Sequence, residues 1–197
     1  MKFKKTHLLI SLLTLSFILI SILITFKESI FIDNYIFDFM QSIQSKPVTY
    51  IMEGISFLFE PIPFLLLALS CLLIFRKKRD YIYLLTLSVI VPTLNYLLKL
   101  LFTRERPTSL ESSYSFPSGH AMISLAFYGF ILHLINKYTN NKYIKFSNIL
   151  FISLIILTGF SRLYLSMHYF TDVIAGFIIS SLVLILFISN HNKKSGI

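Results

Sequence analysis

Apolar residues in this chain come in long runs, with polar residues confined to short clusters between them. The first run, Leu8 to Phe26, carries no charged side chain and only Ser and Thr among its polar ones. It matches the roughly 20 residues a helix needs to cross a bilayer. Further runs cover about Ile55 to Phe75, Tyr81 to Phe102, Ser118 to Ile135, Phe146 to Leu163 and Tyr169 to Ser189. Residues 28–54 differ: Ile30, Phe31, Ile36, Phe37 and Met40 interleave with Asp33, Asn34, Asp38 and Gln41. That mixture predicts a short amphipathic helix in the membrane interface. Pro61 and Pro63 should bend or delay the second span, and Glu60 beside them either reaches to the interface, the preferred reading, or faces a polar cavity. The pattern predicts an all-α polytopic membrane protein. It has six transmembrane helices, an interfacial helix between the first and second, and a single domain over residues 1–197.

Composition sharpens this reading. Of 197 residues, 55% are apolar and the net charge is +9. Such a charge could suit nucleic acid, but the cations sit in short clusters between apolar runs, a pattern of membrane topology. No nucleic-acid partner is expected; the partner surface is the bilayer. The single cysteine, Cys71, lies inside an apolar run and can build neither a disulfide nor a thiolate metal site. Lys2, Lys4 and Lys5 precede the first run as in a signal peptide, but no small-x-small cleavage site follows, so the run reads as a retained span. Abundant Ile, Phe, Lys, Asn and Tyr with no Trp hint at a bacterium with an AT-rich genome.

Six spans place both termini on one side. Twelve of the 18 lysines and arginines fall there: the N-terminus, residues 76–79, residues 137–145 and the C-terminus. Lys27, Lys46, Lys99, Arg104, Arg106 and Arg162 fall opposite, with every acid but Asp80. The positive-inside rule predicts cytoplasmic termini in a cell membrane. Lys99, Arg106 and Arg162 oppose that bias, so something other than topology keeps them outside.

These three belong to polar clusters that six spans bring to one depth on the outer face. Lys99 is followed seven residues later by Arg106-Pro107. Pro117-Ser118-Gly119-His120 opens the fourth span, and Ser161-Arg162 is followed by His168 and Asp172. His168 and Asp172 share a helical face, so the carboxylate can accept the Nδ1 proton and leave Nε2 as nucleophile or base. The same spacing also serves ordinary helix-surface pairs. Ser118 can cap a helix whose first N–H groups face an anion, and Gly119 lets a ligand approach the backbone. His120, in that turn, can protonate a departing oxygen. Lys99, Arg106 and Arg162 supply preorganised positive charge for a phosphate, with bidentate geometry from the arginines. No carboxylate cluster suggests a metal, and no cofactor is expected; the cations can do what magnesium does elsewhere. His133 reads as a packed or interfacial residue, and His7 and His191 as flanking residues.

Taken together the clusters resemble the three signatures of the type 2 phosphatidic acid phosphatase superfamily, K-x6-RP, PSGH and SR-x5-H-x3-D. Each is matched at every position, at 99–107, 117–120 and 161–172. Size, span order and the Glu111–Ser115 stretch resemble the bacterial phosphatidylglycerophosphatase B-like branch. The resemblance implies that His168 is the nucleophile and forms a phosphohistidine, that Asp172 orients it, and that His120 protonates the leaving alkoxide. It implies phosphoryl binding by Lys99, Arg106, Ser118, Gly119 and Arg162. It also implies a lipid phosphate substrate such as phosphatidylglycerol phosphate or phosphatidic acid, or alternatively undecaprenyl pyrophosphate. A transporter would need charges along a path through the bilayer, whereas these lie in one layer.

Overall fold

The computed structural model describes residues 2–26, 30–74, 77–108, 112–138 and 144–193. Arg76, Lys27, Lys142 and Lys194, counted above for topology, and Glu111 lie outside the described residues. The helices are α1 (Lys2–Thr25), α2 (Ile30–Ser42), α3 (Lys46–Phe57), α4 (Pro61–Ile74), α5 (Lys78–Phe102), α6 (Gly119–Tyr138), α7 (Ile144–Tyr164) and α8 (Phe170–Lys193). Among the described residues five helices are long and apolar enough to cross a membrane; α3 and α4 together make a sixth span bent by 54°.

Helices α1 and α5–α8 lie where the apolar runs predict them. The stretch before α5 differs. Residues 28–54 do not form one interfacial segment, and the second span is not one helix from Ile55. The interfacial helix is α2 alone; Phe31, Tyr35 and Phe39 on its outer side are exposed. The chain turns at Ser45, whose extended backbone donates its N–H to the Tyr164 hydroxyl at the end of α7. Gln44 donates to the Tyr164 carbonyl over 2.6 Å. Helix α3 then starts with Pro47 in its first turn, where a missing N–H costs nothing. It stops at Phe57 because Pro61 disfavours helical geometry in the residue before it. Leu58, Phe59 and Glu60 form the break before α4.

The outward faces are apolar. Leu8, Leu12, Leu15 and Leu19 on α1 and Ile149, Ile152 and Ile156 on α7 are all substantially exposed, as a hydrocarbon-facing surface requires. The packed centre is α6, half of whose membrane-length window is buried. Phe127, Phe130 and Leu134 pack there with Leu84, Leu87 and Val91 of α5 and with Phe64 of α4. Helix α8 approaches α6 closely at Gly176: a Cβ there would stand 2.8 Å from the Ser118 carbonyl oxygen. Helix α1 seats Phe17 against Phe116, their rings stacked at 6.0 Å.

The two ends of the bundle are both polar inside. At one end all three sequence clusters meet. At the other, His191 is fully buried; it lies 2.7 Å from Asp80 and 3.2 Å from His133, and Tyr138 donates to the same Asp80 oxygen. His191 is therefore not a flanking residue. It ties the end of α8 to the beginning of α5 and the end of α6.

Candidate active site

The third cluster owes its geometry to the end of α7. Leu165, Met167 and His168 donate their N–H groups back to the carbonyls of Ser161 or Arg162, over 2.9 to 3.3 Å. Between them Ser166 takes φ 57°, the left-handed conformation that reverses a chain after a helix. This reversal brings His168 back over Arg162 and explains the five-residue spacing. Ser161 itself donates to Thr158 of its own helix and is fully buried. Helix α8 then starts at Phe170. Asp172, in its first turn, accepts the Tyr169 N–H at Oδ2 over 2.9 Å. The third-position carboxylate thus caps its own helix.

His168 Nδ1 faces the same oxygen, 3.6 Å away. Its Nε2 lies 3.3 Å from Nη1 of Arg106. A guanidinium can only donate, so Nε2 accepts and the proton of the neutral ring sits on Nδ1. Burial first, then the positive charges of Arg162, Arg106, Lys99 and His120, hold the imidazole well below its ordinary pKa. The Nε2 lone pair thus faces the Arg106 guanidinium.

The first cluster supplies the cations. Helix α5 ends at Thr103, whose left-handed φ of 44° turns the chain and whose N–H returns to the Lys99 carbonyl. Arg106 donates through Nε and Nη2 to the Ser113 carbonyl and hydroxyl, and through Nη1 to the Met167 carbonyl. Lys99 reaches the same Ser113 hydroxyl over 3.4 Å. Arg162 is 3% exposed and donates to Ser56 of α3.

The second cluster is a loop folded onto α8. The Phe116–Pro117 peptide is cis, and the Ser118 N–H bonds the Asp172 carbonyl over 3.0 Å. Ser118 precedes α6, yet its buried hydroxyl finds no hydrogen-bond partner among the described residues. The side of Gly119 that would carry a Cβ is taken by Asn95, at 2.8 Å. Asn95 donates to the Pro117 carbonyl over 2.8 Å and braces the turn. His120 follows one residue inside α6.

The structure thus gathers Lys99, Arg106, Ser118, Gly119, His120, Arg162, His168 and Asp172 at one end of the bundle. It adds residues the sequence reading did not assign. Glu60, whose side chain is about half exposed, brings its Oε1 within 3.5 Å of His120 Nε2. Ser56 meets Arg162 from the same broken span. Arg104, read only as one more outside cation, joins Asp172 Oδ1 and Asp33 Oδ2, both over 2.6 Å.

The PAP2 superfamily profile matches residues 77–195, which hold every motif residue. The chain belongs to the PAP2 superfamily. Among curated members, phosphatidylglycerophosphatase B of Bacillus subtilis is 34% identical over 132 residues, 64% of this chain and 64% of that protein. The alignment therefore spans just under two thirds of that relative. Among solved members, the PAP2-type phosphatidylglycerolphosphate phosphatase from Bacillus subtilis, a transmembrane protein, superposes with a TM-score of 0.85 at 28% identity. That match covers 94% of this chain and 96% of the solved one. The PAP2 profile starts after α4, so Asp33, Ser56 and Glu60 reach the site from outside the matched residues.

Proposed function

We propose that this chain is a membrane lipid phosphatase acting on a lipid phosphomonoester such as phosphatidylglycerol phosphate or phosphatidic acid. The observation that carries this reading is His168 Nε2 held 3.3 Å from Arg106 Nη1, in a buried ring on which the charges of Arg162 and Lys99 also act. A nucleophilic nitrogen surrounded by fixed cations is suited to an anionic electrophile and to little else. The Bacillus subtilis relatives carry phosphatidylglycerol phosphate in their descriptions, which supports that lipid as the first substrate to test.

In this mechanism the Nε2 lone pair of His168 forms a bond to phosphorus. The bond from phosphorus to the lipid oxygen breaks, and that oxygen keeps the electron pair and takes a proton from His120. Nδ1 retains its own proton, so the ring gains positive charge, which Asp172 stabilises. Arg106, Arg162, Lys99, the Ser118 hydroxyl and the N–H groups at the start of α6 stabilise the equatorial oxygens. Water then attacks phosphorus, gives its proton to His120, and the N–P bond returns its electrons to Nε2. Both termini are cytoplasmic in this reading and the site faces outward, as the cation distribution supports.

The test is phosphate release from a panel of phosphatidylglycerol phosphate, phosphatidic acid and undecaprenyl pyrophosphate by the purified protein, with His168→Ala as control. Release from a glycerophospholipid phosphate, absent in the control, is expected. No release from any lipid phosphate would overturn the reading, and release from the polyprenyl substrate alone would reassign it.

A further inference from the structure

Asp33 is the one acid of α2 that is buried, at 1% exposed. Both its oxygens are engaged by the catalytic end of the bundle, far along the chain. Oδ1 accepts the Thr171 N–H over 3.0 Å; Oδ2 accepts the Thr171 hydroxyl over 2.7 Å and Nη2 of Arg104 over 2.6 Å. The other prong of Arg104, Nη1, donates to Thr171 Oγ1 over 2.8 Å and to Asp172 Oδ1 over 2.6 Å. The guanidinium lies over the Tyr169 ring at 4.2 Å, which fixes its plane. A chain of contacts thus runs Asp33–Arg104–Asp172–His168.

Its charges matter as much as its geometry. Asp172 is fully buried and supports the positive charge that develops on His168. A lone arginine on Asp172 would cancel that support. A second carboxylate on the far prong offsets the arginine, so the unit keeps one net negative charge beside the imidazole. The arginine fork also dictates which Asp172 oxygen is occupied: Oδ1 is held, and Oδ2 is left for Tyr169 N–H and His168 Nδ1.

We infer that Asp33 is a positioning residue for the reaction: through Arg104 it fixes the orientation of Asp172 and preserves its charge for His168. Helix α2, outside the residues matched by the PAP2 profile, is thereby part of the catalytic apparatus. Its seat supports this role. Met40, on the same face, packs in the cluster formed with Ala121, Leu163 and Val173.

This inference rests on the phosphohistidine reading, so the experiment separates the two. Full-length protein in detergent is mixed rapidly with an aryl phosphate, and burst, trapped phosphoenzyme and its decay are followed. For Asp33→Asn the burst rate is expected to fall about tenfold to a hundredfold, the usual effect of losing a residue that orients a site ligand. KM should stay within about threefold, and decay of the phosphoenzyme should not slow, since a more positive ring leaves phosphorus more readily. Arg104→Lys, whose single ammonium cannot span both carboxylates, should show the same split. Thr171→Val, which keeps the N–H and the shape, should show a smaller loss in the same step, and it decides the matter if Asp33→Asn does not fold. An unchanged burst rate per folded molecule would make Asp33 a structural clip and overturn the inference, as would a change in KM alone. Absence of phosphoenzyme in both the unsubstituted protein and His120→Ala, whose second step is slowed, would instead overturn the mechanism beneath it.

Discussion

Nη1 of Arg106 stands 3.3 Å from Nε2 of His168 and 2.8 Å from the Met167 carbonyl oxygen. One guanidinium nitrogen therefore fixes the His168 tautomer and holds the loop that carries the ring. Arg106→Ala should lose about 10²–10³-fold in kcat/KM, by analogy with one lost oxyanion donor at about 2.7–4 kcal/mol. Arg106→Lys should recover little, because an ammonium cannot reproduce the fork that spans Ser113, Met167 and His168. Initial rates on protein that elutes from gel filtration like the unsubstituted form check this. Near-normal turnover in Arg106→Ala would make the residue a surface anchor.

Loss of the two histidines should differ in kind. In the proposed mechanism His168→Ala removes the atom that bonds phosphorus, so no phosphoenzyme should form with any substrate. His120→Ala removes only a proton donor, worth about 10²–10⁴-fold. An aryl phosphate, with its better leaving group, should restore the first step in His120→Ala and give a burst of one product per enzyme. A burst from His168→Ala instead would reverse the two roles.

The depressed pKa of His168 has a sign that rates can read. Its ordinary value is 6.5, and burial with neighbouring cations moves it well below. The folded protein keeps the ring neutral as pH falls through 6.5, while the unfolded chain takes up a proton. Stability from this site is therefore complete above 6.5 and is lost as pH falls below it. If His168 is the nucleophile, it should stay competent in mild acid. The acid limb of kcat/KM should then follow the second ionisation of the substrate, near 6 for an alkyl phosphate. It should move to lower pH with an aryl phosphate. A limb fixed near 6.5 for both substrates would show that His168 titrates normally.

Orientation in the membrane can be tested with thiols. Cysteine placed at exposed Ser112, in protein with buried Cys71 replaced by serine, should react with an impermeant reagent in intact cells. Cysteine at exposed Thr6 should react only after lysis. The reverse pattern would place the site at the cytoplasmic face.

The spans and the site differ in how far the sequence discloses them. Helices α5–α8 are legible because each is one apolar run with its polar cluster at an end. Their arrangement at one end of the bundle then follows from alternating direction. The α3–α4 break is foreshadowed by Pro61 and Pro63, but its angle, and hence the meeting of Glu60 with His120, depends on packing against α6 and α7. Asp33 is harder to see. It shares a stripe with Ile36 and Met40, so an acid on the buried face was available as a signal. Its partners, however, lie 71 and 138 residues away, beyond any local pattern. His191 is hidden for the same reason: it reads as a flank, and only the fold brings Asp80 to it.

That last contact bears on how the protein meets membranes of different thickness. Helix α8 is fastened at one tip by Asp172, through Arg104 and the Ser118 N–H, and at the other by His191 on Asp80. A rod pinned at both tips cannot slide along its axis or tilt independently of its neighbours. Mismatch between protein and bilayer is relieved elsewhere, by tilting of loosely packed α1 or by distortion of the surrounding lipid. The distance from His168 to Arg106 is then set within the protein, and the spacing of the catalytic groups is insulated from the length of the lipid chains around them.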